Sequence, residues 1–150
     1  MTHLEISSTT LIDAPEDLVR QQFADVIHHA SAHPHRGVRF EVVDDNGETC
    51  RYHQITRVGP LRLRQELELR RVADQPMVNH ITKGQLAGGT ITFEITPTDA
   101  CSAQVTATVR APLKGPMRIG APLLRRTVQR SLVRALLEDK HDIESGTYSG

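Results

Sequence analysis

Residues 4 to 12 alternate between apolar and polar, from Leu4, Ile6 and Ser8 to Leu11 and Ile12. That period of two predicts a first strand. In the stretch DAPEDLVRQQF the period lengthens, and Val19, Phe23, Val26, Ile27 and Ala30 share one face at helical spacing. Asp13 is placed to cap this helix, Pro15 suits its first turn, and Glu16 and Asp17 favour the positive end of its dipole. The helix is expected from about residue 15 to between 25 and 30, with Pro34 and Gly37 beyond its end.

From there to about residue 112 the pattern is that of strands. Val38, Phe40 and Val42 alternate with polar residues, and DDNGE reads as a hairpin turn in which Asn46-Gly47 supplies positive φ angles. The next strand runs through Cys50, Tyr52 and Gln54, with Gly59-Pro60 punctuating its end. Leu61, Leu63, Leu67 and Leu69 alternate with Arg62, Arg64, Glu66, Glu68 and Arg70. Residues 77 to 86 form another strand, Gly88-Gly89 a turn, Ile91, Phe93 and Ile95 the next strand, and Ala103, Val105, Ala107 and Val109 the last. Short linkers make an antiparallel meander the natural arrangement.

Between Pro116 and Ser145 the helical period returns. Leu124, Val128, Leu132, Ala135, Leu136 and Ile143 share one face, Arg126, Arg130 and Arg134 form a solvated one, and Gly146 is a stop. The fold class is therefore α+β: a curved antiparallel sheet of about seven strands wrapped around a long C-terminal helix, which buries both apolar faces against each other. Residues 1 to 150 read as one domain. Small residues on the last strand, Ala103, Ala107 and Ala111, are expected to leave space for a ligand between sheet and helix.

Composition narrows the function. Charges balance at 18 against 18, and the arginines are spread along the chain, so nothing favours nucleic acid or an anionic membrane. No signal pattern or membrane-spanning apolar run is visible, which makes a cytoplasmic location the expectation. The two cysteines, Cys50 and Cys101, read most simply as buried thiols, with a single disulfide left open.

The element order and three stretches, IDAPEDLVRQQFAD, His33-Pro34 and the terminal helix, resemble the START-like helix-grip superfamily, also called SRPBCC. It includes lipid-transfer modules, polyketide cyclases and aromatases, hormone-binding proteins and the catalytic domains of Rieske-type oxygenases. The resemblance implies a pocket for an apolar polyketide-, aromatic- or lipid-like ligand, with cyclase- or aromatase-like chemistry if the protein is an enzyme. One branch adds an alternative. DVIHHASAH resembles the Rieske-type motif D-x-x-H-x-x-x-x-H, which implies a mononuclear Fe(II) site of His28, His33 and Asp139 with Asp25 behind a ligand histidine. No Rieske cluster motif accompanies it, so electrons would come from a donor protein or from the substrate.

A separate physical observation singles out Asp139. At about 100° per residue it falls within the apolar face of the last helix, where a carboxylate needs a partner or a metal. His29 and His35 are expected at the surface. Tyr52 and His80 join Asp25 as candidate catalytic residues, because a tyrosine or neutral histidine in an apolar pocket can act as acid or base. A homodimer is left open.

Overall fold

The computed structural model describes residues 3–58 and 60–150. Its elements, in chain order, are β1 (His3–Ile12), α1 (Glu16–Ala24), α2 (Val26–Ala32), β2 (Val38–Asp45), β3 (Thr49–Val58), β4 (Leu61–Arg70), β5 (Met77–Lys83), β6 (Thr90–Asp99), β7 (Ser102–Pro112), a 3-10 turn at Gly115–Arg118 and α3 (Ala121–Glu144). The seven strands form one curved antiparallel sheet in the order β1-β7-β6-β5-β4-β3-β2. Hairpins join β2 through β7, and β1 pairs with β7, so the first two strands lie at opposite edges. The helical segment between them must cross the whole sheet.

The alternation read from the sequence sets which face is buried. Leu4, Ile6 and Ile12 of β1, Leu67 and Leu69 of β4 and Val105 of β7 form the core with Leu132, Leu136 and Ile143 of α3. Arg126, Arg130 and Arg134 are exposed, as their helical phase predicts. Register shifts at Val42/Asp44, Glu66/Leu67 and Pro97/Asp99 interrupt the ladders, and such bulges bend a sheet.

Several local expectations are corrected. Asp13 does not cap α1: Pro15 holds that position without a side-chain bond, and the Asp13 amide donates to Glu144. In the β2–β3 turn only Gly47 has positive φ, while Asn46 accepts the amides of Glu48 and Thr49 through its side chain. Pro60 stands in a turn, and Gly59 lies outside the described residues. Cys50 is buried, but Cys101 is exposed, and both thiols are free. Ala103, Ala107 and Ala111 are packed into the core and do not line the cavity between α3 and the sheet.

At the chain end Gly146, at φ +80°, turns the backbone so that the Tyr148 amide donates to the Asp142 carbonyl. Among the described residues no helix is long and apolar enough to cross a membrane.

Candidate functional site

The helix expected as one element is two. At Asp25 the backbone leaves helical geometry (φ −89°, ψ 78°), and its carboxylate accepts the His28 amide, making Asp25 the N-cap of α2. Restarting the helix changes its phase. Val26 and His29 now face the core, and Ile27 faces solvent. His33 ends α2 in the left-handed region (φ 51°), and Pro34 follows, so that His35 returns to the interior.

His29 and His35 meet Asp139 of α3 there. Asp139 Oδ1 lies 2.9 Å from His29 Nε2 and 3.2 Å from His35 Nε2, and all three residues are buried. The two rings stack at 5.4 Å between centroids, and Phe40 closes edge-on against His29. Gln22 of α1 bridges the carboxylates of α3, its Nε2 donating to Asp139 Oδ1 at 2.9 Å and Asp142 Oδ2 at 3.0 Å. Asp142 also pairs with His28 Nε2 at 2.7 Å, and Tyr148 donates its hydroxyl to Asp25.

This cluster attracts positive charge. Burial favours the neutral form of Asp139, but the imidazoles of His29 and His35 outweigh it and hold the carboxyl well below the usual range. Burial likewise disfavours charge on His35, yet hydrogen bonds to Asp139 and Glu138 raise its pKa above the ordinary histidine value.

The cluster forms the polar end of a cavity of about 150 Å³ between α3 and the sheet, whose other walls include Phe23, Phe93, Leu67 and Leu132. Polar groups reach it at a few points. The buried Tyr52 hydroxyl donates to Asn79 Oδ1 at 2.7 Å, and burial pushes the Tyr52 pKa upward. Gln65 accepts the Leu86 amide through Oε1, while its buried Nε2 has no partner among the described residues. Val109 is the β7 residue that lines the space.

The structure therefore redistributes the candidate residues. Asp139 is buried among the polar side chains of Gln22, His29 and His35, and Tyr52 lines the cavity. His28 and His33 do not converge with Asp139: His28 turns to Asp142, and His33 is exposed. His29 and His35 take the interior places instead, because the break at Asp25 sets a new helical phase. Asp25 serves as a cap and anchor for Tyr148 and does not line the cavity. His80 is exposed on the outer face of β5, its neighbour Asn79 pointing inward. Gln22 and Asp142 escaped the sequence reading, although both sit at apolar-face positions of their helices, the signal that marked Asp139.

No family model matches the sequence, and no curated protein matches it. Solved structures match closely in shape. A protein from Thermus thermophilus superposes with a TM-score of 0.85 at 16% identity, covering 95% of this chain and 98% of that one. The Zhui aromatase/cyclase from a Streptomyces species gives 0.79 at 15%, covering 95% and 94%. A START superfamily protein from Mycobacterium smegmatis gives 0.79 at 10%, covering 95% and 98%. The chain has the START-like helix-grip fold.

Proposed function

We propose that this helix-grip domain binds an apolar, ring-containing small molecule of polyketide or aromatic type between α3 and the sheet. The observation that carries the reading is the cavity, walled by aromatic and aliphatic side chains with few polar points. Its volume of about 150 Å³ sets the scale of the buried part of the ligand, since a cavity near that size holds one benzene-sized ring. The unpartnered Gln65 Nε2 offers a hydrogen bond to a ligand carbonyl or hydroxyl, which would relieve the cost of burying it alone. A domain whose interior is filled and serves only as an interaction module fits these observations less well. The aromatase/cyclase among the structural neighbours supports a ligand of this class, and chemistry on it would fall to groups at the cavity wall, Tyr52 among them.

Toluene and naphthalene, followed by ligand-detected NMR, test the reading. Saturable binding is expected, and Val128→Trp, which adds bulk from a cavity-lining position of α3, should weaken it at least about tenfold. Absence of saturable binding, or indifference to Val128→Trp in a folded variant, would refute the pocket.

A further inference from the structure

Both imidazoles of the buried cluster have one nitrogen already committed. His29 Nδ1 lies 2.8 Å from the carbonyl oxygen of Asp25, and His35 Nδ1 lies 3.0 Å from a Glu138 carboxylate oxygen. A carbonyl and an ionised carboxylate only accept, so each Nδ1 carries a hydrogen. In a neutral imidazole the other nitrogen then bears a lone pair. Those two Nε2 atoms face the same acceptor, Asp139 Oδ1. These electron pairs are satisfied either by a proton, when an imidazole donates to Asp139 as an imidazolium, or by a metal ion held among the three atoms. Acceptors behind the rings that fix the tautomer are also what metal-ligating histidines carry.

The spacing suits an ion. The three ligating atoms lie within 4.8 Å of one another, and bonds of about 2.0 to 2.2 Å in tetrahedral geometry would draw the most widely spaced pair together by about an ångström or a little more. Two imidazoles with one carboxylate favour a transition metal over magnesium or calcium, which prefer oxygen alone. All three residues line the cavity, so coordination positions not taken by the protein would open toward its interior.

We propose that His29 Nε2, His35 Nε2 and Asp139 hold a divalent first-row transition-metal ion whose open positions take an oxygen donor of the pocket's ligand, such as a ring carbonyl or phenolate. The metal part stands on the cluster alone; the oxygen-donor part rests on the proposed pocket. The ligand set differs from that implied by the sequence motif in both histidines.

The test uses full-length protein freed of metal by a chelator, titrated with Co²⁺ by absorption and with Zn²⁺ by calorimetry. One ion per chain is expected, with His29→Ala, His35→Ala and Asp139→Asn each weakening binding at least about tenfold, and His33→Ala binding as wild type. Substoichiometric binding, or wild-type affinity in folded His29→Ala and His35→Ala, overturns the site. If those variants do not fold, imidazole nitrogen NMR of the wild type decides: zinc must leave both Nε2 atoms without a proton, and protonated Nε2 at saturating zinc overturns it. Tropolone, a one-ring molecule with two adjacent oxygens, should then change the Co²⁺ spectrum, and an unchanged spectrum removes the oxygen-donor part. Toluene binding to the metal-free protein is scored separately, so the pocket and the metal can fail independently.

Discussion

Asp25 organises the polar end of the cavity through three oxygen atoms. One carboxylate oxygen caps α2 at the His28 amide, the other accepts the Tyr148 hydroxyl, and its carbonyl accepts from His29 Nδ1. Only the last survives removal of the side chain. Asp25→Ala should therefore lower stability by about 1 to 2 kcal/mol, the usual cost of a lost N-cap, as measured by urea denaturation. At this scale the sequence was partly legible. Asp139 could be singled out because its neighbours at helical spacing are apolar, and the same projection would have reached Asp142. The assignment of histidines could not follow, because it depends on one peptide. A helix continued through Asp25 turns His28 away from the core, whereas a helix restarted there turns His29 inward.

Among the elements, Arg71 joins three that no local pattern of residues connects. It follows β4, and its guanidinium grips both carboxylate oxygens of Asp45 at 2.8 and 3.0 Å and the carbonyl of Ala24 at 2.9 Å. It thus satisfies a carbonyl left over at the end of α1 and holds the end of β2 in place. Arg71→Met should cost about 2 kcal/mol, since hydrogen bonds to charged groups are lost and the partners are partly shielded from water. The pair also gives a pH signature. The Arg71 hydrogen bond holds the Asp45 carboxyl below its ordinary value of 3.8. Its contribution is therefore complete above that value and is lost as pH falls through the lower folded pKa. Melting temperatures taken from about pH 5 to 2 should fall less steeply for Arg71→Met than for the wild type. The strands and α3 were legible because alternation and helical phase are local. Arg71 was not, since its partners are remote in sequence and arginines are common along this chain.

For the whole molecule, the crossing of α1 and α2 from one sheet edge to the other brings residues 29 and 35 against the last helix. The bond from His29 to Asp139 spans 110 positions of chain. The ring it closes contains every strand from β2 to β7. Closing so long a ring is entropically expensive until the strands within it have paired, so the contact belongs to the last stage of assembly. Weakening it should leave the refolding rate nearly unchanged and hasten unfolding, which stopped-flow measurements on Asp139→Asn would resolve. A refolding rate that fell in proportion to stability would place the contact early instead. The buried cluster then acts as a clasp, governing how long the native state lasts rather than how quickly it is reached.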